Sequence, residues 1–143
     1  MATISKASAV WNGKLRDGNG TFEAGSGSFN GAYTFATRFE GKPGTNPEEL
    51  VGAAHAGCFS MALSAGLGKA GFEPKRITTE AKVDLEKVGE GFQITRIHLD
   101  TEAEIPGIER SVFEKHAHEA KANCPVSKAL TGPEITLTAR LVD

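Results

Sequence analysis

Cysteine is scarce in this sequence: among 143 residues only Cys58 and Cys124 carry a thiol. Two are too few for the disulfide framework of a small secreted domain. In a reducing compartment a pair of thiols points instead to redox work, metal binding or plain packing. Ligands for a metal are lacking, since no CxxC or HExxH occurs. His116 and His118 stand two apart on an expected helix, about 200° around it, so they do not easily share one ion. Charge of one sign is missing as well. The 16 basic and 18 acidic residues leave a formal net charge of −2, with no basic block for nucleic acid and no acidic tail. The opening MATISKASAVW alternates apolar and polar residues rather than placing a charged lead before an apolar core, so no secretory signal is expected. Uninterrupted apolar runs are short. The most hydrophobic stretch, Thr45 to Gly66, still carries Glu48, Glu49, His55, Ser60 and Ser64, so no membrane span is expected and the expected compartment is the cytoplasm. Repeats and an interdomain linker are absent too, and a chain of this length supports one domain, 1–143, with a core that needs no staples.

The pattern along the chain is strand-rich at first. Alternation from Thr3 to Trp11 predicts a strand, the glycine-rich segment after it holds short strand pieces around Leu15 and Thr21–Glu23, and AYTFATRFEG reads as a further strand ending near Phe39. Asn46 then fits a helix N-cap, Pro47 the first helical position and Glu49 the third, where it would complete a capping arrangement. This helix is expected to run to about Ala70, with Gly71 closing it in a left-handed turn. Two alternating runs about the turn GEG, marked by Val83, Leu85, Ile94, Ile97 and Leu99, predict a hairpin. A second helix carries the stripe Ile108, Val112, Phe113, Ala117 and Ala120. Pro125 suits the start of a short helix to about Leu130, and PEITLTARLV closes the fold as a strand. Strands and helices come in blocks, which favours an α+β fold.

A helix apolar on every side must be covered on every side. Two sheets, or a second copy of the same helix, would do so, and a homodimer with its long helices at the centre is the natural closure. Gly52, Ala53, Ala56 and Gly57 would permit close backbone approach. Cys58 lies about three turns into this helix, beyond the reach of the helix dipole, and burial alone would keep its thiol protonated. A reactive Cys58 therefore needs a cation beside it, for which Arg38, Arg16 and His55 are the candidates. His55, one turn before Cys58, would make a Cys–His dyad, but no third orienting group or oxyanion site accompanies it. Cys124, as N-cap of the short helix opened by Pro125, would face unpaired amides that favour its thiolate. Spacing alone does not tell which cysteine attacks, or whether the two meet.

TRFEG at Thr37–Gly41, GTNPEELVGAAHAGCFSMALS at Gly44–Ser64, PGI at Pro106–Ile108, CPVSKAL at Cys124–Leu130 and EITL at Glu134–Leu137 together resemble the OsmC/Ohr family of thiol peroxidases. The resemblance spans essentially the whole chain. Ala54-His55 and Val126 stand where the Ohr branch tends to have Gly-Tyr and a tyrosine, which places the likeness in the OsmC branch. The resemblance implies an intertwined homodimer with long central helices flanked by antiparallel β-sheets, and reduction of organic hydroperoxides, more weakly of hydrogen peroxide, in oxidative or osmotic stress defence. Cys58 matches the peroxidatic cysteine, Cys124 the resolving one, Arg38 the arginine that activates the thiol and Glu48 the acid that holds that arginine. Arg16, in LRDG, resembles the segment that supplies the arginine in the Ohr branch; Phe39 after Arg38 favours Arg38.

The implied cycle has the Cys58 thiolate attack the O–O bond, an alcohol leave, and Cys124 close a disulfide on the resulting sulfenic acid. An external dithiol of lipoyl or thioredoxin type would then reduce it, with no cofactor or metal. Glu48 and Cys58 are ten residues apart, about 15 Å along a straight helix. That spacing predicts a site combining Cys58 and Cys124 of one chain with Glu48 and Arg38 of its partner. The rival of another class is a non-catalytic thiol switch or ligand-binding module on the same fold.

Overall fold

The helical content begins earlier than the alternation of AYTFATRFEG predicts. In a computed structural model, which describes residues 2–142, the strand β3 (Asn30–Tyr33) stops at Thr34 and a one-turn-and-a-half helix, α1 (Phe35–Phe39), follows. The reason is a reciprocal cap: the Thr34 hydroxyl accepts the Thr37 amide at 3.2 Å, and the Thr37 hydroxyl accepts the Thr34 amide at 2.9 Å. Two hydroxyls at this spacing satisfy the helix-start donors that an extended chain would have paired across a sheet. The element is therefore a helix, not the strand expected to reach Phe39.

Two compact units divide the chain, Met1–Leu50 and Val51–Asp143. In the first, β1 (Ala7–Asn12), β2 (Asn19–Ala24) and β3 form an antiparallel sheet in the order β1-β2-β3. The strand expected from Thr3 starts at Ala7, and Leu15 lies in the turn between β1 and β2 rather than in a strand. Trp11, Phe22 and Tyr33 pack on this sheet, with Phe22 and Tyr33 stacked at 3.9 Å between centroids. Gly20 makes that packing possible: a Cβ there would lie 2.7 Å from both the Trp11 and Tyr33 rings.

The long helix α2 (Pro47–Lys69) begins in the first unit and continues through the second. Its start follows expectation, for the Asn46 side chain accepts the Glu49 amide at 2.8 Å. The Glu49 carboxylate does not close the box, however; it accepts the Thr45 hydroxyl at 3.1 Å. Gly71, at φ 91°, turns the chain out of the helix.

In the second unit, β4 (Arg76–Val88) and β5 (Gly91–Glu104) make the expected hairpin, and β6 (Glu134–Val142) joins β5. That last pairing is parallel, so the sheet is mixed rather than purely antiparallel. A parallel neighbour requires a crossover, and the crossover contains α3 (Arg110–Asn123) and α4 (Pro125–Ala129). The core of this unit gathers Phe59, Leu63 and Leu67 of α2, four residues apart each time, Ile97, Leu99 and Ala103 of β5, and Phe113, Ala117 and Ala120 of α3. Each large side chain so buried stabilises the fold by about 1.5–3 kcal/mol.

By length and composition α2 is apolar enough to cross a membrane. Along it Phe59, Leu63 and Leu67 are fully buried against the second unit, while 28% of its most apolar window is buried. The small residues of α2 divide in a way their sequence does not reveal. Gly52 faces the sheet, where a Cβ would stand 3.2 Å from Val83, so its small size admits β4 rather than a second helix. Ala53, Ala54, Gly57, Met61, Ala65 and Gly68 stay exposed along the opposite face.

Candidate functional site

Cys124 ends α3 and caps α4. Its backbone is extended (φ −62°, ψ 140°), Pro125 fixes the first turn, and the Ser127 amide donates to the Cys124 sulfur at 3.3 Å. A sulfur thus takes the place usually filled by a serine or aspartate oxygen. Cys58, in the middle of α2, reaches the same helix start: the Val126 amide donates to it, and it is hydrogen-bonded to Cys124. The two cysteines that spacing left unconnected therefore meet, both unbridged, at adjacent amides of one helical turn.

Burial pushes the Cys58 thiol above its ordinary value. The Val126 amide pulls it down, while the hydrogen bond and the charge interaction with Cys124 push it up further. No positive charge enters this balance.

His55 does not provide one. Burial lowers its pKa from the ordinary 6.5, so at neutral pH the ring is uncharged. The expectation of His55 as a cation beside Cys58 fails for that reason, and no Cys–His dyad forms either. Its Nε2 lies 2.7 Å from the Ser127 hydroxyl, and its Nδ1 has no partner among the described residues. The Ser127 hydroxyl in turn accepts the Cys124 thiol at 3.1 Å. A buried chain, Cys124 to Ser127 to His55, results. Ser127 was missed at the sequence level; the signal was its position three residues after a cap, where a hydroxyl turns back on the helix start. A second hydroxyl contact, Ser60 to Thr79 at 2.8 Å, fastens α2 to β4 two residues beyond Cys58.

Arg38 and Glu48 meet in the first unit. Arg38 Nε donates to Glu48 Oε1 at 3.0 Å and Nη2 to Oε2 at 2.9 Å, a two-pronged fork. Asn46, which caps α2, also donates to the Thr37 carbonyl at 3.2 Å and so fastens α1 to the start of α2, fixing the two partners. Glu48 is buried and Arg38 about one-third exposed. Arg16 sits in the β1–β2 turn with its guanidinium 4.8 Å above the Phe35 ring. Beside Arg38 opens a pocket of about 190 Å³ lined by Trp11, Leu15, Tyr33, Phe35 and Phe39. Among the described residues no three His, Cys, Asp or Glu side chains gather to hold a metal ion.

An α+β scaffold that presents two reduced thiols to one helix start defines a two-cysteine protein. The OsmC-like protein family model matches residues 39–139. The chain is 53% identical over 142 residues to the peroxiredoxin OsmC of Escherichia coli strain K12, covering 99% of each. It is 29% identical over 100 residues, 68% of each chain, to the organic hydroperoxide resistance protein of Xanthomonas axonopodis pv. citri. An organic hydroperoxide resistance protein from Elizabethkingia anophelis superposes with a TM-score of 0.74 at 26% identity, over 99% of this chain and all of that one. An OsmC-like protein from Mycoplasma pneumoniae matches over the full length of both chains with a TM-score of 0.77 at 15% identity, a likeness of fold. The chain belongs to the OsmC family.

Proposed function

We propose that this chain, read as one OsmC-like domain over 1–143, reduces organic hydroperoxides to alcohols, and hydrogen peroxide more slowly, through a sulfenic acid at Cys58 and a Cys58–Cys124 disulfide. The protein is a thiol-dependent peroxidase, as its 53% identity to a peroxiredoxin over the full chain carries. The observation that best supports the mechanism is the meeting of Cys58 and Cys124 at the start of α4. A disulfide can close there without moving either helix far. Cys58 attacks the peroxide oxygen, the alkoxide leaves and takes a proton, and Cys124 displaces the sulfenic oxygen as water. A dithiol of lipoyl or thioredoxin type then restores both thiols by exchange.

The charge missing beside Cys58 is assigned to Arg38. Its fork with Glu48 presents a fixed guanidinium, and the aromatic pocket beside it suits an alkyl tail. In this reading a homodimer forms on the exposed face of α2, and each site joins Cys58 and Cys124 of one chain to Arg38 and Glu48 of its partner. The ten-residue separation of Glu48 and Cys58 on one continuous helix supports that exchange. The setting for such chemistry is the reducing cytoplasm, in defence against oxidative stress.

The test is a steady-state assay of cumene-type, lipid-type and hydrogen peroxides with several dithiols, followed by mass measurement of the oxidised protein. Repeated consumption of organic peroxide, fastest for the apolar ones, with an intramolecular disulfide, is expected. Stoichiometric thiol loss without turnover would establish a redox switch instead. Cys124→Ser should consume one equivalent of peroxide to reach the Cys58 sulfenic acid and, with peroxide in excess, a second to reach sulfinic acid, read as two added oxygens by mass.

A further inference from the structure

Closing the disulfide requires Cys124 to lose a proton while enclosed in protein, for its side chain is fully buried. Water does not reach it directly, and a thiolate is the attacking species in any displacement at sulfur. The chain of hydrogen bonds described above leads away from that thiol in one direction. Cys124 donates to Ser127 Oγ at 3.1 Å. The Ser127 hydroxyl, having accepted, has its own proton to place, and His55 Nε2 stands 2.7 Å from it. The imidazole is uncharged, fully buried and held by this one contact, with Nδ1 unpartnered among the described residues. Nothing in peroxide attack by Cys58 uses Ser127 or His55.

Resting on the peroxidase reading, we infer that Ser127 and His55 form a proton relay that deprotonates Cys124 for the resolving step. Ser127 is the catalytic residue, since it touches the attacking sulfur; His55 is a positioning residue and proton acceptor that acts through it. As the Cys124 sulfur bonds to the Cys58 sulfur, the S–O bond of the sulfenic acid breaks and its electron pair leaves with oxygen. The Cys124 proton passes to Ser127 Oγ, the Ser127 proton passes to His55 Nε2, and the departing hydroxide is neutralised to water by the proton that His55 later gives up. Cys58 is reduced from sulfenic acid to disulfide and Cys124 is oxidised from thiol to disulfide, so atoms and electrons balance.

Burial suits the ring to this work. A lowered pKa keeps His55 in its accepting form at neutral pH. Of the titratable groups around it, Cys124, the cap of α4, is linked to the ring through Ser127, and Cys58 stands three residues on along α2. The sheet under α2 offers the apolar Ala81 and Val83 against Gly52 and the hydroxyl of Thr79 against Ser60. Burial is the one resolved influence on the ring, and no charged side chain contributes.

Stopped-flow oxidation of the full chain separates the two steps. Wild type, Ser127→Ala, Ser127→Thr and His55→Gln are each mixed with cumene hydroperoxide in one arm. In the other they are mixed with diamide, which oxidises Cys58 without any peroxide chemistry and leaves closure by Cys124 to follow. Sulfenic acid formation should keep its wild-type rate in all four proteins, while closure slows by about 10²-fold in Ser127→Ala and His55→Gln. Ser127→Thr, which restores the hydroxyl, should recover most of the rate. Wild-type closure should fall as pH is lowered through the titration of His55, followed by NMR of its ring, and level off above it, whereas closure in Ser127→Ala should climb with pH across the whole range.

Closure in Ser127→Ala at the wild-type rate and with the wild-type pH profile in both arms overturns the relay and leaves the peroxidase intact. Failure of peroxide to oxidise Cys58, with diamide closure still dependent on Ser127, overturns the peroxidase reading and leaves the relay standing. A wild-type closure profile with no inflection at the His55 midpoint overturns the relay without recourse to any variant.

Discussion

Cys58→Ser abolishes turnover of organic hydroperoxide, with consumption falling to the rate of buffer and dithiol alone. The substitution exchanges one atom at a half-buried position of α2 and keeps the contact with the Val126 amide. It removes the only chemistry the proposed cycle cannot replace. A hydroxyl ionises far above any working pH, and no base stands beside residue 58: His55 is engaged with Ser127. The loss should be at least about 10³-fold in kcat/KM, more than about 4 kcal/mol of transition-state stabilisation. Peroxide consumption followed by xylenol-orange oxidation checks it, with a thermal melt to show that the fold survives. Turnover retained by the serine variant would move the attacking sulfur to Cys124 and reverse the proposed order of events.

Arg38→Ala has the second-largest effect. Within one chain the Cys58 thiol is pushed up by burial and by Cys124, against the single downward pull of the Val126 amide. A thiolate at neutral pH therefore requires a cation, and an opposite charge within about 4–6 Å lowers a pKa by about 1–3 units. Removing it should raise the titration midpoint of Cys58 by that much and slow peroxide attack about 10- to 10³-fold. Glu48→Gln, which leaves the guanidinium but loosens its fork, should fall between wild type and Arg38→Ala. Thiolate ultraviolet absorbance against pH reads the midpoint directly, with Cys124→Ser as background so that one thiol titrates. An unmoved midpoint rejects the role. A larger shift in Arg16→Ala would transfer it to the β1–β2 turn.

Much of this architecture was legible in the residues, and the exceptions have physical causes. The Asn46-Pro47 start of α2, Gly71 at its end, the β4–β5 hairpin and the Cys124-Pro125 break all rest on local chemistry: a cap, a left-handed glycine, a two-residue period. Residues 35–39 misled because TFATRF alternates like a strand, while the deciding interaction is a pair of threonine hydroxyls three apart. The direction of β6 was not readable, since the same alternating pattern serves parallel and antiparallel neighbours and only the three-dimensional route of α3 and α4 chooses. Gly52 suggests a helix contact because small size says how near something comes, not what comes; in the fold it is β4 that approaches.

At the site itself the motifs named Cys58, Cys124, Arg38 and Glu48, yet motif matching cannot show that two sulfurs 66 positions apart share one helical turn. A free imidazole titrates near neutrality, which makes His55 a candidate cation in the sequence; enclosure moves it the other way. Ser127, a serine after Pro-Val, has the look of an ordinary first-turn residue; only the fold sets the Cys124 thiol and His55 on either side of it.

The parallel placement of β6 beside β5 has a consequence for biosynthesis. Cys124 lies on a connection held at both ends, and the second tether is a strand encoded after it. As the polypeptide leaves the ribosome, α2 and the β4–β5 hairpin emerge with Cys58 while Cys124 has no settled address. The crossover that seats Cys124 is complete only once β6 has paired with β5, and β6 is the last of these elements in the order of synthesis.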